Sequence, residues 1–189
     1  MEVLRLDART DFRLEKLGEA PVYFTPPDDS ARGHLDELFR RLTGGSRPRP
    51  AQLTVHGHQV AIPAQAMGVA RFAFNDLCAQ PLGASDYIAI ARSYHTVLVD
   101  GIPRLDQAHR NEARRFITLI DVFYERRVKR IASAEAEPAD LYEGETGAEV
   151  FEFARTVSRR AEMRSREYLA QPRGRGQEPS GNATGLVET

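Results

Sequence analysis

The chain has 189 residues, with 26 Lys+Arg against 27 Asp+Glu, five histidines and one cysteine. A formal charge of −1 excludes generic attraction to nucleic acid or to an anionic membrane, and 41% hydrophobic with 28% charged residues excludes a fibrous or wholly disordered chain. Cys78 has no second cysteine with which to form a disulfide or a cysteine-cluster zinc site, which fits a reducing compartment.

No run is long and apolar enough for a transmembrane span, and Met1-Glu2-Val3-Leu4-Arg5 carries no signal-peptide pattern. A cytoplasmic protein is expected. Taken in chain order, Val3-Leu4-Arg5-Leu6 and Val22-Tyr23-Phe24 read as short extended pieces, the second stopped by Pro26-Pro27. Asp28-Asp29-Ser30 supplies a helix N-cap, Leu35, Leu38, Phe39 and Leu42 follow at helical spacing, and Gly44-Gly45 ends the helix. Leu53 and Val55, then Val60 and Ile62, alternate around His56-Gly57-His58, which predicts a hairpin with solvated histidines at its tip.

From residue 69 the pattern changes. Val69 to Phe74 reads as a strand, Asn75 to Gly83 as a loop, and a helix begins near Ser85-Asp86 with Tyr87, Ile88, Ile90 and Ala91 on its inner face. Thr96 to Asp100 is a near-continuous apolar strand, the pattern of a strand covered on both faces. A long helix follows to about Arg127, with Phe116, Leu119, Ile120 and Phe123 at i, i+3, i+4 and i+7, and then a strand from Val128 to Ser133. Strand, helix, strand, helix, strand predicts parallel pairing with right-handed crossovers. Phe151-Glu152-Phe153 adds a short strand, and Thr156 to Tyr168 a charged helix capped by Thr156 or Ser158. Beyond Ala170 the composition is too polar to offset its ordering entropy, and Asn182-Ala183-Thr184 is an accidental sequon. The expected fold class is therefore α/β. It has a β-rich lead over 1–68, a parallel β-α-β-α-β unit over 69–169 and a disordered tail over 170–189.

Only two lysines occur, Lys16 and Lys129, and neither sits in the Gly-x-x-x-x-Gly-Lys-Ser/Thr spacing of a phosphate loop. Asp100, delivered by an apolar strand, has the placement of a Walker B carboxylate, yet Gly101 follows it where a water-orienting acid would stand. Two readings follow: an NTPase-like substructure without its own active site, or a packing unit in which Asp100 caps a helix or turn. Cys78 has no adjacent histidine and reads as a buried small apolar residue. The basic run from Arg126-Arg127 to Lys129-Arg130 reads as the cationic end of a helix, without interleaved aromatics to stack nucleic-acid bases.

The stretch Phe72-Ala73-Phe74-Asn75-Asp76-Leu77-Cys78, followed by Pro81-Leu82-Gly83-Ala84-Ser85-Asp86-Tyr87, resembles a signature of the ZapE-like cell-division ATPase family and its mitochondrial AFG-type relatives. Further segments agree in order. They are Val97 to Pro103, Arg114 to Asp121 with Tyr124, Ser133-Ala134 through Leu141-Tyr142, and Phe151 to Arg159 with Glu162-Met163. Residues 7–14 agree as well, with Phe12 where Tyr is usual; Arg160 and His58 depart from the family's preferred Leu and Arg. The likeness spans about residues 4–169 and covers only the family's C-terminal half, as a fragment, a split gene product or a misplaced start.

The resemblance implies a P-loop ATPase using ATP and Mg²⁺ in cell division at the FtsZ ring. It implies as partners FtsZ-type proteins, the missing ATPase half or a second copy of the chain. No ATP turnover is expected of this chain alone. Arg159 is the foremost candidate for a phosphate contact in trans, followed by Arg155, four residues before it, and Arg115, with no catalytic residue and no metal ligand expected. The same arginines also suit structural ion pairs: Arg115 with Asp121, Glu112 or Asp106, Arg159 with Glu162, and Arg155 with a carboxylate across the fold. A non-catalytic module that binds filaments is the alternative reading, and a cysteine- or histidine-based hydrolase is a remote third.

Overall fold

Six strands form one sheet in a computed structural model that describes residues 20–143 and 148–170. The expected Val3–Leu6 strand, the residue 7–14 motif and the tail beyond Ala170 lie outside these residues. In chain order the elements are β1 (Tyr23–Phe24), α1 (Asp29–Leu42), β2 (Arg49–Val55), β3 (His58–Ala66), β4 (Val69–Ala73), α2 (Phe74–Cys78) and α3 (Ala84–Ser93). They continue with β5 (Thr96–Ile102), α4 (Arg110–Glu125), β6 (Lys129–Ala134), α5 (Ala148–Glu162) and α6 (Arg166–Ala170). The spatial order is β1-β6-β5-β4-β3-β2. β4, β5, β6 and β1 pair in parallel, and β3 and β2 join antiparallel.

The parallel β-α-β-α-β unit expected from the apolar runs is present. β6 is buried along its whole length, and β5 from Thr96 to Val99. Helix α1 covers one face: Leu35, Leu38, Phe39 and Leu42 pack with Val69, Leu98 and Ile131. The helices from α2 to α5 cover the other, where Phe72, Phe74, Tyr87, Phe116, Ile120, Phe123 and Phe153 share one core. Each fully buried side chain of this size contributes about 1.5–3 kcal/mol. Local chemistry sets the helix ends. The Asp28 carboxylate accepts from Ala31 N at 2.9 Å to start α1, and Gly45 N donates back to Arg40 O at 2.8 Å to close it.

Four expectations are corrected. Phe151-Glu152-Phe153 belongs to α5 and not to a strand. Three alternating residues fit either period, but the buried positions Phe153, Thr156, Arg160 and Met163 recur every three or four residues. Thr156 and Ser158 are therefore interior to a helix and not N-caps; their hydroxyls donate to Glu152 O and Ala154 O, one turn earlier. The expected loop from Asn75 opens instead with α2, whose first turn is tied by Ala73 N donating to the Asp76 carboxylate at 2.8 Å. Finally, the basic run is split. α4 ends at Glu125, and Lys129 and Arg130 are only 1% exposed on β6, because that strand has cover on both sides.

Two-residue turns join β2 to β3 through His56-Gly57 and β3 to β4 through Met67-Gly68, all four residues with positive φ. These are the left-handed hairpin connections that match strand twist. A Cβ on Gly57 meets nothing within 4 Å, whereas one on Gly68 would lie 2.7 Å from the His95 ring. Gly57→Ala should cost about 1 kcal/mol from the backbone alone. Gly68→Ala should cost about 1–3 kcal/mol more through overpacking. Urea unfolding of the two variants checks the order; equal losses would contradict it.

Candidate functional site at the carboxyl ends of the parallel strands

All four parallel strands point to one edge of the sheet, where ligands of open α/β sheets bind. A crevice of about 240 Å³ opens there between the β1–α1 connection (Pro27, Asp28, Arg32), the end of β4 (Ala73 to Asn75), Asp100 and Gly101 on β5, and Ser133 on β6. The strand-to-helix connection beside it is where a phosphate loop would offer free backbone N–H groups. Here that connection is Thr25-Pro26-Pro27-Asp28, and the Asp28 carboxylate already takes the Ala31 N–H. Asp29, next in line, forms an exposed pair with Arg32 at 3.5 Å.

Asp100 lies at the C-terminal end of β5 and is neither a helix cap nor a turn cap. Its two oxygens accept a fork from Arg71 on β4, Nε to Oδ2 at 2.7 Å and Nη2 to Oδ1 at 2.8 Å, and Arg71 Nη1 reaches Asp36 on α1. The bonds to Asp100 push Arg71 above the ordinary arginine range, against the opposing effect of burial. Gly101 N donates to Ser133 Oγ at 3.0 Å, tying the ends of β5 and β6. Among the described residues no group of three or more His, Cys, Asp or Glu side chains is arranged to hold a metal ion. The crevice thus presents Asp28 and Arg32 beside an Asp100 held in an ion pair with Arg71.

The three arginines singled out in the sequence lie on helices of the other face. Arg155 and Arg159 come together on one carboxylate, Asp121 of α4: Arg155 Nη2 to Oδ2 at 3.0 Å, and Arg159 Nη1 against Oδ1. Arg159 also lies over the Tyr124 ring at 5.1 Å, and Glu162 accepts from the Tyr124 hydroxyl at 2.7 Å. Arg115 is not brought to them; its Nη1 donates to Cys78 O at 3.0 Å, at the end of α2. The Cys78 side chain is fully buried, and burial pushes its thiol well above the ordinary range. His58 Nε2 lies 2.7 Å from the buried Asp86 carboxylate, which also accepts from Gly83 N at 2.8 Å. Residue spacing gave no sign of that contact. Arg71 was missed as well; its signal was a lone charge inside an apolar strand.

Arg71→Met leaves two carboxylates without their shared cation. Chemical denaturation should show a loss of about 2–4 kcal/mol, with Arg71→Lys intermediate because an ammonium cannot reproduce the fork. Full stability in Arg71→Lys would show that only the charge matters.

The family model for AFG1-like ATPases matches residues 1–172. The chain is 37% identical over 168 residues to the cell division protein ZapE of Escherichia coli K12, covering 89% of this chain and 44% of that protein. It is 33% identical over 200 residues to lactation elevated protein 1 homolog B of Danio rerio, covering 88% of this chain and 40% of the relative. The chain thus spans less than half the length of these relatives. No solved structure matches.

Proposed function

We propose, from the premise that this chain belongs to the AFG1-like ATPase family, that it is the part of a ZapE-like cell-division ATPase lying outside the phosphate-binding motifs. ATP and Mg²⁺ are then held by polypeptide that this chain does not supply, and hydrolysis is coupled to cell division at an FtsZ-type ring in the cytoplasm. Among the described residues no helix is long and apolar enough to cross a membrane.

The observation that carries this reading is the β1–α1 connection. Asp28 occupies the helix N-terminus with a negative charge, in the place where phosphate oxygens would accept. Both Asp100 oxygens accept from Arg71. Of the three candidate arginines, Arg155 is best placed for a phosphate contact in trans, because its side chain is 56% exposed against 23% for Arg159. Such a contact would exchange Asp121 for a phosphate oxygen.

The purified chain should release no phosphate from ATP and show no saturable nucleotide hydrolysis. Turnover abolished by Asp100→Asn would overturn the reading. Mixing with the motif-bearing portion of the same ATPase should restore turnover, and Arg155→Ala should reduce it about 10-fold or more if the side chain stabilises transferred charge. A second reading is favoured by the self-contained core on both faces of the sheet. There the chain is a binding module for FtsZ-type filaments or for itself, and co-sedimentation with filaments in the absence of nucleotide would select it.

A further inference from the structure

Three arginines surround one tyrosine ring on the α5 side of the sheet. The guanidinium carbons of Arg130 (β6), Arg160 (α5) and Arg164 (just beyond α5) lie 5.9, 5.3 and 4.9 Å from the Tyr23 ring centroid. Arg160 Nη2 donates to the Tyr23 hydroxyl at 3.0 Å, which donates in turn to Ala136 O at 2.6 Å. Arg160 also lies over Phe116 at 5.2 Å. Among the described residues, Nε and Nη1 of both Arg130 and Arg160 are buried and have no hydrogen-bond partner.

Arg130 and Arg160 are 1% and 0% exposed, out of reach of bulk solvent. Among the described residues the one carboxylate in contact with the trio is Glu137, whose Oε2 stands 3.4 Å from Arg164 Nη1, a long and loose contact. Burying a guanidinium without an acceptor is among the most costly arrangements in a protein interior, and a cation over a ring offsets it only in part. Burial, followed by the neighbouring Arg160, pushes Arg130 down to about 9. The cluster is short of negative charge and of acceptors together.

We propose that the Arg130–Arg160–Arg164 cluster is a binding site for one oxyanion of the phosphate class, with Glu137 as the internal carboxylate that guards its mouth. The exposure gradient gives the direction of entry. The Arg164 side chain is 38% exposed and that of Glu137 52%, at the surface, while Arg160 and Arg130 lie behind them. The four unpartnered nitrogens come from two planar forks, and a tetrahedral oxyanion offers more acceptor directions than a carboxylate. The site is separate from the crevice under α1 and holds whether or not the chain acts in cell division.

Thermal unfolding of the full 189-residue chain, titrated with inorganic phosphate against sodium chloride at matched ionic strength, tests the proposal. Wild type should show a saturable rise in Tm, with half-saturation on the order of 1–10 mM. Arg164→Gln should raise that midpoint about 10-fold, Glu137→Gln should lower it about threefold by removing a competing carboxylate, and Arg160→Met should abolish saturation. A parallel titration with AMP distinguishes the source. A lower midpoint than phosphate, moved the same way by both surface variants, assigns the site to a nucleotide's phosphate; an equal or higher one assigns it to free phosphate. Parallel, unsaturating shifts in all variants would be the general effect of an excluded salt and would overturn the proposal. If Arg160→Met does not fold, Arg164→Gln and Glu137→Gln decide alone, and unchanged midpoints in both sink it.

Discussion

The whole arrangement rests on β5 and β6 being enclosed from both sides. A parallel strand cannot turn directly into its neighbour, so each pairing requires a crossover, and here the crossover helices line one face of the sheet. The other face would be left bare without α1, which the β1–α1 connection brings across it. The Arg71 fork then ties together the three elements that meet there, β4, β5 and α1, by a single side chain. Asp100 is thereby fixed in place by Arg71 at the carboxyl end of the parallel strands.

The same enclosure explains which parts of the fold were legible. Thr96 to Asp100 showed itself as a covered strand because it has no polar alternation, and α1 and α4 because four apolar residues each recur at helical spacing. α5 was partly misread because Phe-Glu-Phe is too short to fix a period, and its helical face includes Thr156 and Arg160, residues that look solvated in a sequence. Arg130 was misread for a related reason. A cation next to a helix end has an adequate local explanation, and only the sheet shows that it points inward.

The crevice was legible at Asp100 alone. Its other walls come from segments far apart in the chain, the 27–32 region, Asn75 and Ser133, which no local motif joins. The convergence of Arg155 and Arg159 was readable from their spacing; their common partner Asp121, more than 30 residues earlier, was not. Long-range ion pairs are set by how helices pack, and packing angle leaves no trace in residue spacing.

One edge of the sheet is β2, with no strand beyond it among the described residues. Such a border is a template on which a stray chain can add itself, and proteins that persist must blunt it. This one opens with a cation at Arg49 and a missing backbone donor at Pro50, and its register slips between Arg49 and Ala51. Together these spoil the ladder where an intruding strand would begin to zip, so the antiparallel half of the sheet can end in water without inviting fibrils.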